Sequence, residues 1–135
     1  MPSSSLVVLL VDDNDDSLAM YAIGLLAMGF QPITADTGEE ALARACECRP
    51  DVIVADITLR GISGLDLTRL LREDARTRDA GIIVLTGHGA ESVKEQADAA
   101  GCDRFLMKPC MPDALAGAIR DVINHRNHHD ATGVH

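Results

Sequence analysis

Aromatic side chains are nearly missing, at 2% of the residues and with no Trp. Platforms on which bases or sugar rings stack are therefore not available in number. Positive charge is also scarce. Twelve Lys and Arg stand against 21 Asp and Glu, a formal net charge of -9, which opposes contact with nucleic acid or an anionic membrane. Met1-Pro2-Ser3-Ser4-Ser5 has no basic residue, and the apolar run after it is too short for a signal peptide core or a membrane span. A cytoplasmic protein without direct nucleic-acid or membrane contact is expected. Its four cysteines are then expected to be reduced thiols, and Cys46 and Cys48, two apart on an expected helix, point in different directions. Neither Gly-x-x-x-x-Gly-Lys-Ser/Thr nor Gly-x-Gly-x-x-Gly occurs, which weighs against a nucleotide or flavin binder.

What is present is ordered around Pro50-Asp51-Val52-Ile53-Val54-Ala55-Asp56, an apolar run that ends in a carboxylate. A run apolar on both faces fits the centre of a parallel sheet covered by helices on each side. Three more runs end in polar residues: Leu6 to Val11 before Asp12-Asp13, Ile82 to Leu85 before Thr86, and Phe105 to Met107 before Lys108-Pro109. Sites in open sheets form beyond the carboxyl ends of the strands. If these four are neighbours, three carboxylates, a hydroxyl and an ammonium meet at one rim.

The remaining punctuation supplies helices and one more strand. Asn14 caps a helix with Leu18, Tyr21, Ala22, Leu25 and Leu26 at helical spacing, and Gly29 ends it. Pro32 to Ala35 reads as a short, proline-bearing edge strand. Thr37-Gly38-Glu39-Glu40 forms a capping box for the second helix, and Ser63 caps the third, with Leu67, Leu70 and Leu71 as its stripe. Asp74 to Asp79 is expected to be a surface connection. The fourth helix, about Glu91 to Ala100, offers Val93 and alanines to a core and should be the least firmly docked. Pro112 opens the fifth, with Leu115, Ala118, Ile119, Val122 and Ile123 facing inward. Five strands alternating with five helices predict an α/β, doubly wound five-stranded parallel sheet in order 2-1-3-4-5. One domain is expected over 1–126, with 127–135 a disordered, solvated tail.

Asp12, Asp13 and Asp56 placed together repel one another unless some are protonated or a cation sits among them. Taken singly, each also reads as a helix cap or a solvated strand end; it is the pair plus Asp56 that points to a metal. Mg²⁺ suits hard oxygen ligands and keeps waters while bridging to a phosphate. A carboxylate then becomes a competent nucleophile toward phosphorus, and Asp56 is the expected phosphoacceptor. Lys108 offers a fixed charge to phosphoryl oxygens and Thr86 a hydroxyl. Alone, Lys108 is equally a surface lysine before a turn proline, and Thr86 a structural threonine.

With Val11-Asp12-Asp13-Asn14, Asp56, Thr86-Gly87 and Lys108-Pro109 in this order, the chain closely resembles the receiver domain of two-component response regulators over roughly residues 5 to 125. The resemblance implies the flavodoxin-like (βα)5 receiver fold, with Asp56 the phosphoacceptor. It implies Mg²⁺ bound by Asp13, Asp56 and the backbone carbonyl of Thr58, and by Asp12 through water. It further implies that Lys108 pairs with the phosphoryl group, that the Lys108-Pro109 bond is cis, and that Thr86 and Phe105 are the switch pair. Phe105 by itself reads as core. Arg60 stands where the family usually has a proline, and Ser63 where it has an acid before Gly64. Thr58 and His88 occupy positions that vary among family members; His88 reads chiefly as a solvated loop histidine.

The expected function is that of a stand-alone receiver, regulatory rather than enzymatic, which assists its own phosphorylation and dephosphorylation. It would take a phosphoryl group from a histidine kinase or phosphotransfer protein and either regulate a downstream protein target or pass the group on. The alternative is an aspartyl-phosphate phosphatase or phosphotransferase of haloacid dehalogenase type. Those enzymes carry a second aspartate two residues after the nucleophile, and that position is Thr58 here.

Overall fold

The computed structural model describes the backbone of residues 5–87 and 91–132 and the side chains of 5–87 and 93–126. Strands and helices alternate throughout: β1 (Val7–Val11), α1 (Asp15–Ala27), β2 (Gln31–Ala35), α2 (Gly38–Cys48), β3 (Val52–Asp56), α3 (Gly64–Glu73), β4 (Gly81–Thr86), α4 (Glu91–Ala100), β5 (Arg104–Met107) and α5 (Pro112–Thr132). The strands pair in parallel in the order β2-β1-β3-β4-β5. This is the doubly wound α/β sheet expected from the alternation of apolar runs, and Pro32 sits on its edge strand.

Successive strand residues face opposite layers. Val8, Leu10, Val52, Val54, Ile83 and Leu85 pack under α1 and α5, against Leu18, Leu25, Leu115 and Ile119. Leu9, Val11, Ile53, Ala55, Ile82 and Val84 face Ala41 and Ala45 of α2 and Leu67 and Leu71 of α3. Burial of a Leu or Ile contributes about 1.5–3 kcal/mol, against roughly 0.8 for an alanine methyl. Among its described residues, the buried side chains of α4 are Ala97 and Ala100. Alanines give it little apolar area to bury, in keeping with its alanine-rich sequence.

The starts of α1, α2 and α3 have sequence-coded caps. Asn14 Oδ1 accepts the Ser17 N–H at 2.9 Å, and Ser63 Oγ accepts the Asp66 N–H at 3.1 Å. The expected capping box at α2 is offset by one residue. Thr37 Oγ1 accepts the Glu40 N–H, but Glu40 Oε1 reaches back to the N–H of Asp36 rather than Thr37. Thr37 itself is extended, at φ -135° and ψ 160°, as an N-cap residue ordinarily is.

Two expected connections differ. The stretch from Asp74 to Asp79 is more than a surface link: Thr77 is buried, and its hydroxyl donates to the Leu71 carbonyl at 2.6 Å. Arg72 binds the carbonyls of Arg78, Ala80 and Gly101 and the carboxylate of Asp103, which closes this end of the sheet. At the other boundary, α5 continues past Asn127 to Thr132, where a disordered tail was expected. No Gly or Pro lies between Gly117 and Gly133 to stop it.

All four cysteines are unpaired. Burial pushes the Cys102 thiol up to about 11, so it stays protonated at neutral pH. Among the described residues no helix is long and apolar enough to cross a membrane.

Candidate functional site

The carboxyl ends of β1 and β3 lie side by side because Val11 pairs with Ala55. Asp12, one residue past β1, and Asp56, the last residue of β3, are consequently adjacent and buried, at 4% and 8% exposure. Asp12 Oδ1 accepts the Asn14 N–H at 2.9 Å, and Asp56 Oδ1 accepts the Thr58 N–H at 3.1 Å. Their remaining oxygens share one cation. The Lys108 ammonium lies 2.7 Å from Asp56 Oδ2 and 3.2 Å from Asp12 Oδ2.

Lys108 is placed by the neighbouring strands. Its N–H donates to the Thr86 carbonyl at 2.7 Å, one step past the β4–β5 ladder, and the Lys108-Pro109 bond is cis. Beyond it the Tyr21 hydroxyl, buried under α1, donates to the Cys110 carbonyl at 2.8 Å. Partial burial pulls the Lys108 pKa down, but the Asp56 hydrogen bond and charge, with those of Asp12, outweigh it and leave the pKa raised. The ammonium is held charged where it is needed.

The loop after Asp56 approaches the strand closely. A Cβ on Gly64 would run into the Asp56 carbonyl oxygen and stand 2.8 Å from Ile57 Cα, so only glycine lets α3 start there. Thr86 is buried at the tip of β4, and the half-buried Phe105 pairs with Val84. Pairing partners share a face of the sheet, as do residues two apart. Phe105 and Thr86 therefore point into the same layer, two register positions apart. His88 lies outside the described residues.

The rim thus brings together Asp12, Asp56 and Lys108, with Thr58 and Thr86 at its border. Asp13 stands next to Asp12, half-buried. Among the described residues, no three His, Cys, Asp or Glu side chains gather into a ready-made metal cage. The expected trio of acids is drawn together only in part, and Lys108 supplies the charge that allows Asp12 and Asp56 to sit side by side. The donor set still suits Mg²⁺, which is held by one or two carboxylates together with waters and a phosphate rather than by an all-protein cage. Sequence reasoning missed the Thr58 amide bond to Asp56 and the Tyr21 anchor. The only signal for the latter was a lone tyrosine on an otherwise aliphatic helix face.

Fold and rim define an α/β domain whose acidic site lies where the strand order reverses, between β1 and β3. The family model for the response regulator receiver domain matches residues 8–120. The chain is 34% identical over 116 residues to the phosphate regulon transcriptional regulatory protein PhoB of Pseudomonas aeruginosa, covering 86% of this chain and 51% of that protein. It therefore spans about half the length of PhoB. It is 34% identical over 109 residues to the polar-differentiation response regulator DivK of Brucella anthropi, covering 81% of this chain and 86% of DivK. Among solved structures, the receiver domain of sensor histidine kinase PA1611 from Pseudomonas aeruginosa, described with a magnesium ion coordinated in its active site cleft, superposes with a TM-score of 0.82. The identity there is 26%, over 90% of this chain and 99% of that one. The chain belongs to the response regulator receiver domain family. A haloacid dehalogenase-type phosphatase is not favoured, since Thr58 occupies the place of the second aspartate.

Proposed function

We propose that the chain is a regulatory phosphoacceptor. An Asp56 carboxylate oxygen attacks the phosphorus of a phosphohistidine on a histidine kinase or phosphotransfer protein. A P–O bond forms as the P–N bond breaks, and the electron pair leaves with the imidazole. The observation that carries this reading is the Lys108 ammonium 2.7 Å from Asp56 Oδ2. The cation at that position can follow the charge from carboxylate to phosphoryl oxygens.

Mg²⁺, held by Asp13, Asp56 and the Thr58 carbonyl and by Asp12 through water, would supply the charge neutralisation that phosphoryl transfer requires. Asp12 and Asp56 already converge on one cation, which supports that donor set. Thr86 then binds a phosphoryl oxygen. Phe105, in the same layer, fills the space it leaves. The surface of α4, β5 and α5 carries the result to a downstream protein target, and the small buried face of α4 suits it to move. Phosphate shifts that equilibrium only by its differential affinity for the two states, about 1–3 kcal/mol for coupled sites.

On this reading the protein assists its own phosphorylation and dephosphorylation but turns over no separate substrate. The net charge of -9 and four free thiols support a cytoplasmic protein-binding role without direct nucleic-acid contact for this span. Incubation with a small acyl-phosphate donor and Mg²⁺ is the test. One labile phosphoryl group should appear on the wild type and none on Asp56→Asn; equal labelling of both removes Asp56 from its role.

A further inference from the structure

The loop that leads from Asp56 into α3 is also held from the side of α2. Gly38 opens that helix and is buried. A Cβ on Gly38 would run into Ile62 Cγ1 and stand 2.9 Å from Ile62 Cδ1 and 3.0 Å from the Ile62 carbonyl oxygen. Beside it, Gly61 has φ +80° and lies on the Glu39 carboxylate, with Oε2 only 2.7 Å from where a Cβ would be. The start of α2 is itself fixed by the Thr37 and Glu40 caps. At the other end of the loop, Gly64 rests on the backbone of Asp56 and Ile57.

A short loop is therefore clasped between a capped helix start and the tip of β3. What it carries is Thr58, whose N–H donates to Asp56 Oδ1 at 3.1 Å. Ile62 is the side chain that fills the clasp, and it packs on into the layer formed by α2 and α3.

We propose that Ile62, seated against Gly38, is a positioning residue for phosphoryl transfer at Asp56: their contact sets where the Thr58 backbone stands relative to the acceptor carboxylate. This rests on Asp56 being the acceptor. It gives the start of α2 a part in the chemistry although, among the described residues, no α2 side chain is hydrogen-bonded or ion-paired to the carboxylate. The strength of the effect follows from geometry, since misplacement by about 1 Å at a reacting centre can cost up to ~100-fold in rate.

The experiment is a steric complementation cycle of Gly38→Ala, Ile62→Ala and the double variant. Two readouts are taken: the rate of labelling by a small acyl phosphate with Mg²⁺, and the amide NMR shift of Thr58 in the metal-free protein. Each single change should slow labelling roughly tenfold and move the Thr58 amide. The double change should bring both back toward wild type, because the methyl added at position 38 refills the volume removed at 62. Singles that are folded yet label at the wild-type rate overturn the proposal, as do single effects that merely multiply in the double. If Gly38→Ala does not fold, Ile62→Val and Ile62→Ala alone must still slow labelling in order of the volume removed, and an unmoved Thr58 amide in both overturns it. If the wild type itself takes no label, the phosphoacceptor reading fails, while the Thr58 shift still decides whether the contact positions the loop.

Discussion

Lys108 Nζ bridges Asp56 Oδ2 at 2.7 Å and Asp12 Oδ2 at 3.2 Å, so one ammonium serves two buried carboxylates from different strand tips. Removal of one partner from a buried ion pair costs about 3–5 kcal/mol, and the 27% exposure of the Lys108 side chain reduces that to about a third or a half. Lys108→Met should therefore lose about 1–2 kcal/mol in urea unfolding without divalent ions. Added Mg²⁺ should restore more stability to the variant than it adds to the wild type. A variant as stable as wild type in chelator would show that the two acids need no cation.

Alkaline pH acts on the same corner of the molecule. The Lys108 pKa is raised over its ordinary 10.5, since the Asp56 and Asp12 contacts outweigh burial. Burial first, then the charge of Cys110, raises Tyr21 over 10.0. Both groups bind their protons more tightly in the folded state, so their contribution is fully present below the unfolded pKa values and is lost as pH rises through the folded ones. Stability should fall between about pH 10 and the onset of alkaline unfolding. Tyr21→Phe should flatten that fall while losing about 1 kcal/mol at neutral pH, from the bond to the Cys110 carbonyl. Urea midpoints measured across this range provide the check.

The opposite end of the sheet depends on Arg72, which satisfies three backbone carbonyls and pairs with Asp103 at 2.9 Å. Asp103 in turn accepts the Ile82 N–H at 2.8 Å, which ties the starts of β4 and β5 to the end of α3. Arg72→Ala should cost about 2–4 kcal/mol. Arg72→Lys should recover little, because a single ammonium cannot reproduce the planar fork. Amide exchange at Ile82 should accelerate in both.

Asp12, Asp56 and Lys108 were legible in the sequence because each closes an apolar run, and parallel strands deliver their ends to one rim. The helix caps were legible because they are local, made between residues three apart. Arg72 was not: on the helix it reads as an outward arginine, and its partners lie on turns whose positions only the tertiary fold sets. The contact of Gly38 with Ile62 was hidden for the same reason, since a glycine at a helix start looks like permissive backbone until the other side chain is in place. The partial gathering of the acids reflects electrostatics that periodicity does not carry. Lys108 holds Asp12 and Asp56, while Asp13 remains beside them. The continuation of α5 to Thr132 is not legible in its polar composition, although nothing between Gly117 and Gly133 breaks a helix.

The most direct measurement is the position of the phosphoryl group. Protein labelled by a small acyl phosphate with Mg²⁺ would be reduced with borohydride, which converts an aspartyl phosphate to homoserine, then digested and sequenced by mass spectrometry. Homoserine at position 56, and at no other acid of the rim, is the expected result; homoserine at Asp12 or Asp13, or a phosphoryl group resistant to borohydride, would contradict an acceptor role for Asp56.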